Sequence, residues 1–263
     1  MRRDVTASLT LDATGPARMV LAIAVADGRA AEETLTVTQD GTPLAPVEIA
    51  DQHGTRLHSV DVTGGRIEVR YSARVDGRGE AAVVDEIDPI RYLRPSRYCE
   101  SDTLAAVATA EFGGLEGVAL LDAVSSWVGT RLVYDGWSTD PTDGAVATLL
   151  SRRGVCRDFA HLVVALLRAR DMPARVVAVY APGLEPMDFH AVAEALVDGR
   201  WLAVDATTLA PRSTLVRIAT GRDAADTAFL TTIGEPVELV EMRVSATADA
   251  LPDDDVREPV ALG

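Results

Sequence analysis

The stretch from Phe189 to Asp205 limits the possible folds more than any other. Two runs of alternating character, Phe189–Val197 and Arg200–Asp205, flank Asp198-Gly199. An Asp-Gly pair between such runs signals a β-hairpin, because a type I′ turn needs φ > 0 at both central residues. A two-residue loop sets Asp205 opposite Val192 and His190 opposite Thr207. Side chains two positions apart share a sheet face, so His190 lies on the same face as Val192. His190 and Asp205 become diagonal neighbours with Cβ atoms roughly 7–8 Å apart, within reach of an imidazole–carboxylate hydrogen bond.

Other segments show two characters. Residues 1–90 read as β-structure. Val5, Ala7, Leu9 and Leu11 alternate with polar residues, as do Leu35–Thr38 and Ile67–Tyr71. Gly-bearing turns such as Asp40-Gly41 and Gly64-Gly65 punctuate them, which predicts a β-sandwich-like unit. The proline-bearing segment Asp88–Ser96 reads as a linker. Beyond it, helical spacing predicts helices over Leu104–Phe112, Val118–Leu132, Ala145–Leu150 and Val155–Arg170, with Ser101-Asp102 and Thr142-Asp143 as caps. Strand-like runs follow over Arg175–Tyr180, Phe189–Val197, Arg200–Ala206 and Val237–Val244. The expectation is a β-rich unit over 1–90 and an α+β unit over 91–263, helices packed on an antiparallel sheet. The tail around Asp253-Asp254-Asp255 is expected to be mobile.

Composition excludes several chemistries. The chain has 263 residues and a formal net charge of −15, which disfavours a nucleic-acid partner. All 25 basic residues are arginine, so lysine Schiff bases and Walker-type phosphate loops are excluded. The two cysteines, Cys99 and Cys156, do not make a disulfide framework, and a reduced, cytoplasmic protein is the simpler expectation. Met1-Arg2-Arg3 resembles the start of a signal peptide. The nearby apolar run Met19–Ala26 starts late and lacks a small-residue cleavage site, and no stretch reaches the ~20 apolar residues of a membrane span.

Cys156 opens the fourth predicted helix in Gly154-Val155-Cys156-Arg157-Asp158. The positive end of a helix and its unpaired N–H groups favour a thiolate there and could hold an oxyanion. A lone buried cysteine is common, and so is a core histidine. A cysteine at a helix start, a histidine on one hairpin strand and an aspartate on the same face of the other form a rarer set, with the makings of nucleophile, base and orienter.

These residues resemble the transglutaminase-like superfamily, whose bacterial members are often described as cysteine proteases. The resemblance runs from about residue 130 to 235. It rests on Gly154–Asp158, Ala160-His161-Leu162, Leu166–Ala169, Met172–Arg175, His190-Ala191, Ala193-Glu194, Trp201 and Asp205-Ala206-Thr207. Gly221-Arg222-Asp223-Ala224-Ala225-Asp226 also looks like a recurring segment of the bacterial group. The resemblance implies a papain-like fold with Cys156 as nucleophile, His190 as base and Asp205 as orienter. It also implies a second oxyanion donor upstream of the cysteine, with Tyr134 and Trp137 as candidates. The sequence departs from the pattern at Val192, usually Trp, and at Ala206, usually Pro.

Other residues are set aside. His161, five positions past Cys156, fits one helix face poorly and reads as a packing or hydrogen-bonding residue. Asp158 suits the first-turn dipole. His53 and His58 receive no role. No HExxH, CxxC or GxSxG motif is present, so no metal or other cofactor is expected. The expected function is thiol-dependent acyl transfer on peptide or carboxamide bonds, with water as acceptor. Protein-glutamine cross-linking is the close alternative, and a non-catalytic protein-binding module the distant one. The partner would be a peptide or protein substrate, with neither nucleic acid nor membrane; the oligomeric state stays open.

Overall fold

Alternating apolar residues in the amino-terminal third turn inward from two antiparallel sheets. The computed structural model describes residues 1–262. In β1 (Arg2–Ala13), Val5, Ala7, Leu9 and Leu11 are buried between less buried neighbours. Then come β2 (Ala17–Leu21), β3 (Glu32–Gln39), β4 (Thr42–Leu44), β5 (Val47–Ala50), β6 (Arg56–Val62) and β7 (Gly65–Asp76).

The helical layer follows as α1 (Asp88–Arg91), α2 (Ala105–Phe112), α3 (Gly117–Arg131), β8 (Val133–Tyr134), α4 (Ala145–Ser151), β9 (Arg153–Gly154) and α5 (Cys156–Arg168). α5 is the buried centre: every residue from Asp158 to Arg168 is buried. The chain then runs through β10 (Ala174–Tyr180), β11 (Phe189–Val197), β12 (Arg200–Val204), β13 (Val216–Gly221), α6 (Ala224–Thr227), β14 (Leu230–Gly234) and β15 (Val237–Ala248). Strands β10 to β13 form an antiparallel sheet in the order β12-β11-β10-β13, and α5 packs against it. The architecture is α+β, as the sequence predicts.

Three features differ from the sequence expectation. First, β14 and β15 leave the core sheet and complete the amino-terminal ones, in the orders β14-β2-β6-β5 and β15-β1-β7-β3-β4. The β-rich unit thus takes strands from both ends of the chain. Pairing across more than 200 residues covers sheet edges, and no local pattern announces it. Second, the tail is anchored. Buried Arg212 bonds the Asp254 carboxylate twice, at 3.0 Å each, and the carbonyls of Asp255 and Glu258 at 2.8 and 3.0 Å. Leu262 is 2% exposed. Third, the first and third long helices lack the predicted side-chain caps. Leu104 and Gly144 hold the N-cap positions, and Glu100 accepts the Ala145 N–H at 2.8 Å instead.

Tyr180, Val216, Ile218 and Ala219 of the core sheet belong to the same apolar cluster as β1, β2 and β7. The two units therefore share a hydrophobic core.

Candidate active site

The hairpin forms with the register its turn dictates. Asp198 and Gly199 take φ of 49° and 73°, and Ala193 faces Val204 while Leu196 faces Trp201. Asp205, one residue past β12, lies on the same side as His190. His190 Nε2 and Asp205 Oδ2 are 2.7 Å apart, with both side chains almost wholly buried.

The other Asp205 oxygen accepts the Thr207 hydroxyl at 2.6 Å and the Thr207 N–H at 2.9 Å. Thr207 thereby fixes the carboxylate plane. The sequence reading missed this role, although an aspartate bonding its own chain two residues on is a readable turn signal.

Cys156 is the first residue of α5 and is half-buried. Asp158 Oδ2 accepts the Val155 N–H at 2.9 Å, and its Oδ1 pairs with Arg157. This closes the helix start and leaves Asp158 a structural part, as the sequence suggests. A Cβ on Gly154 would come within 2.6 Å of the Asp158 side chain, which explains the glycine.

His190 Nδ1 is buried without a hydrogen bond. Burial alone would lower the His190 pKa. Against it act the Asp205 carboxylate and a charged Cys156 sulfur beside the ring, and together they raise the pKa to about 10. The imidazole is therefore a cation at neutral pH, between a carboxylate and a sulfur.

The parallel pairing of Tyr134 with Gly154 brings the Tyr134 phenol next to Cys156. Burial first, and then the Cys156 charge, push its pKa up to about 12, so it stays a neutral donor. Trp137 is 99% exposed and lies outside the cluster. A cavity of about 820 Å³ adjoins Tyr134 and Phe159 and reaches Ala206–Thr208, with Leu132 and Val256 in its walls.

His161 is buried, accepts the Ala224 N–H at 3.1 Å and stacks on Tyr98 with centroids 5.4 Å apart. Burial lowers its pKa to about 4, so it is neutral and acts in packing and hydrogen bonding. Glu194 sits between Arg175 and Arg217 at 2.7 and 2.6 Å, a buried ion triad that the sequence reading did not find. Arg175 lies over Trp201, 3.7 Å from the ring centroid.

His53, Asp85 and Asp88 offer ligand atoms within 4.8 Å of one another. However, His53 already bonds Asp88 at 3.1 Å, and the Arg175 guanidinium lies 4.0 Å from the other Asp88 oxygen. A cation there would face an arginine, so the group reads as an extension of the ion network.

Comparison with known proteins gives a consistent result. The model of the transglutaminase-like superfamily matches residues 106–206. The crystal structure of a proposed cysteine protease from Cytophaga hutchinsonii is 34% identical with a TM-score of 0.85. The match covers 97% of this chain and 92% of that one. An uncharacterized protein of Mycobacterium leprae is 29% identical over 159 residues, 57% of this chain and 56% of that protein. One of Mycobacterium tuberculosis is 35% identical over 125 residues, 41% and 40% of the two chains. The chain thus spans about half the length of the curated relatives it matches.

The cytoplasmic location expected from the cysteines does not stand. The similar structures include the periplasmic domain of TgpA from Pseudomonas aeruginosa, 21% identical with a TM-score of 0.41 over 75% of this chain and 91% of that one, a likeness that assigns this chain no compartment. Both cysteines are free, and two free thiols by themselves assign no compartment. No helix among the described residues is long and apolar enough to cross a membrane. The full-length match to the Cytophaga structure and the superfamily model over the helical core together show that this chain belongs to the transglutaminase-like superfamily.

Proposed function

We propose that this protein is a thiol-dependent hydrolase of peptide or carboxamide bonds, with Cys156 as nucleophile, His190 as acid and base, and Asp205 as orienter. The observation that carries the reading is the buried His190–Asp205 hydrogen bond of 2.7 Å, with Cys156 beside the same ring. The similarity to a proposed cysteine protease supports the same class.

A cation beside sulfur favours the thiolate, the nucleophilic form. Sγ attacks the carbonyl carbon, and the carbonyl π electrons move to oxygen. The oxyanion meets the unpaired N–H groups at the start of α5, with the Tyr134 hydroxyl as a second donor. The imidazolium gives its proton to the leaving nitrogen, the C–N bond breaks, and a thioester remains. Water then attacks, His190 takes its proton, and the C–S bond breaks. The acid leaves, and the thiolate and imidazolium are restored.

The apolar-walled cavity beside Tyr134 suits a peptide side chain. Water is the preferred acceptor, in keeping with the similarity to a proposed cysteine protease. Cross-linking with a protein-bound amine is the competing outcome.

The test is electrophile labelling with a glutamine- and peptide-chloromethylketone panel, followed by mapping of the adduct and amide-hydrolysis assays. Modification of Cys156, and hydrolysis abolished by Cys156→Ala, are the expected results. Modification confined to other residues, or equal turnover by the variant, would overturn the assignment.

A further inference from the structure

A second concavity, of about 500 Å³, opens where the β-rich unit meets the helical core and shares no lining residue with the Tyr134 cavity. That volume is in the range of small-molecule sites, roughly 300–1,000 Å³. Three arginines line it: Arg91, Arg94 and Arg222. Arg222 is neutralised by Asp226, at 2.9 and 3.1 Å. Among the described residues, Arg91 donates only to the neutral amide oxygen of Gln52, at 2.5 Å. The Arg94 guanidinium has neither a hydrogen bond nor an ion pair among the described residues.

Asp51, the other acid in the wall, is already committed to the Gln52 N–H at 2.7 Å. In a chain with 40 acidic and 25 basic side chains, two guanidinium groups without a carboxylate partner in one concavity stand out.

A second observation is independent of charge. Tyr92 lines the same concavity, is 0% exposed, and its hydroxyl has no hydrogen-bond partner. A buried phenol ordinarily finds an acceptor, since leaving one unmade costs about 1–3 kcal/mol. The uncommitted groups thus include two cationic guanidinium donors and a neutral phenol donor.

The Gly221–Asp226 segment, left without a role by the proposed chemistry, builds one wall. A Cβ on Gly221 would lie 2.3 Å from the Asp226 Cβ, so only glycine lets the Arg222–Asp226 clasp close.

We propose that this concavity binds a small oxyanion-bearing ligand, a carboxylate or a phosphate, held by Arg91 and Arg94 and by the Tyr92 hydroxyl. Guanidinium groups match both chemistries through paired N–H donors, and a phenol adds a neutral donor. An occupant that binds the folded chain and not the unfolded one raises thermal stability.

The test is thermal unfolding and calorimetric titration of the full chain with inorganic phosphate and pyrophosphate in one arm. Succinate and citrate form the other arm, and sodium chloride of matched ionic strength is the control. Saturable binding with a rise in Tm is expected in at least one arm, and the arm identifies the chemistry. Combined Arg91→Gln and Arg94→Gln should weaken binding by about tenfold or more. Tyr92→Phe, which keeps the ring packed on Trp201, should weaken it several-fold and thereby guards against a fold defect in the arginine variant. No saturable binding in either arm at about 10 mM, or affinity unchanged in both variants, would overturn the proposal.

Discussion

His190 carries opposing influences, and its charge follows from their balance. Burial disfavours the cation, and Asp205 and Cys156 together more than restore it, to a pKa of about 10. A histidine pKa raised on folding adds stability in full below its unfolded value of about 6.5 and loses it as pH rises toward 10. The difference in unfolding free energy between wild type and His190→Gln should therefore shrink between pH 7 and 10, measured by urea denaturation. A constant difference would mean that the imidazole is neutral in the fold. Asp205→Asn removes the carboxylate that holds the charge, so iodoacetamide should modify Cys156 more slowly near pH 7, by about tenfold. His161 has the opposite sign. Its folded pKa of about 4 lies below the unfolded value, so its contribution is present above about 6.5 and disappears as pH falls through 4. Wild type should lose up to roughly 3 kcal/mol over that interval in excess of His161→Gln.

At the scale of elements, the start of α5 and the β11–β12 hairpin do most to shape the site. Asp158 binds the Val155 N–H and occupies the space that a side chain at position 154 would need. Asp158→Ala strips this cap and should cost about 1–2 kcal/mol in urea denaturation. Gly199→Ala places a Cβ at φ of 73°, which costs roughly 1–2 kcal/mol and loosens the turn that sets the register. A variant with unchanged stability would show that β10, pairing with β11 over Ala174–Tyr180, sets the register without the turn.

Across the whole molecule, the two ends of the chain meet. β1 lies between β15 and β7, and Asp249 donates its N–H to the Arg2 carbonyl. A fragment ending at residue 90 lacks β14, β15 and the core-sheet residues Tyr180 and Ile218 that fill its interior. We propose that the amino-terminal unit does not fold alone, so the fragment should give a flat thermal melt by near-ultraviolet circular dichroism; a cooperative transition would refute this. Truncation after residue 250 removes Asp254 and the Asp255 and Glu258 carbonyls, and with them the ion pair that compensates the Arg212 guanidinium. An uncompensated buried charge costs on the order of 3–5 kcal/mol, so the truncated chain should melt well below the full chain.

Local signals of short range were enough to read the hairpin from the sequence. Asp198-Gly199 demands a turn with positive φ, period-two alternation sets the faces, and together they put His190 and Asp205 on one side. The helix that begins at Cys156 and the α+β class were legible for the same reason: each rests on residues a few positions apart. Contacts that join distant segments left no such trace. The return of β14 and β15 to the amino-terminal sheets, the Arg212 anchor on the tail, and the Arg175–Glu194–Arg217 triad depend on which surfaces remain uncovered once the core has closed. Tyr134 and Trp137 make the contrast at three residues' separation. Both are aromatic and both lie upstream of the cysteine, yet pairing with Gly154 carries Tyr134 to Cys156 while Trp137 stands in solvent. Sequence patterning determines the elements and their faces because those are local free energies. Tertiary packing decided which side chains meet, because burial and edge pairing are properties of the assembled surface.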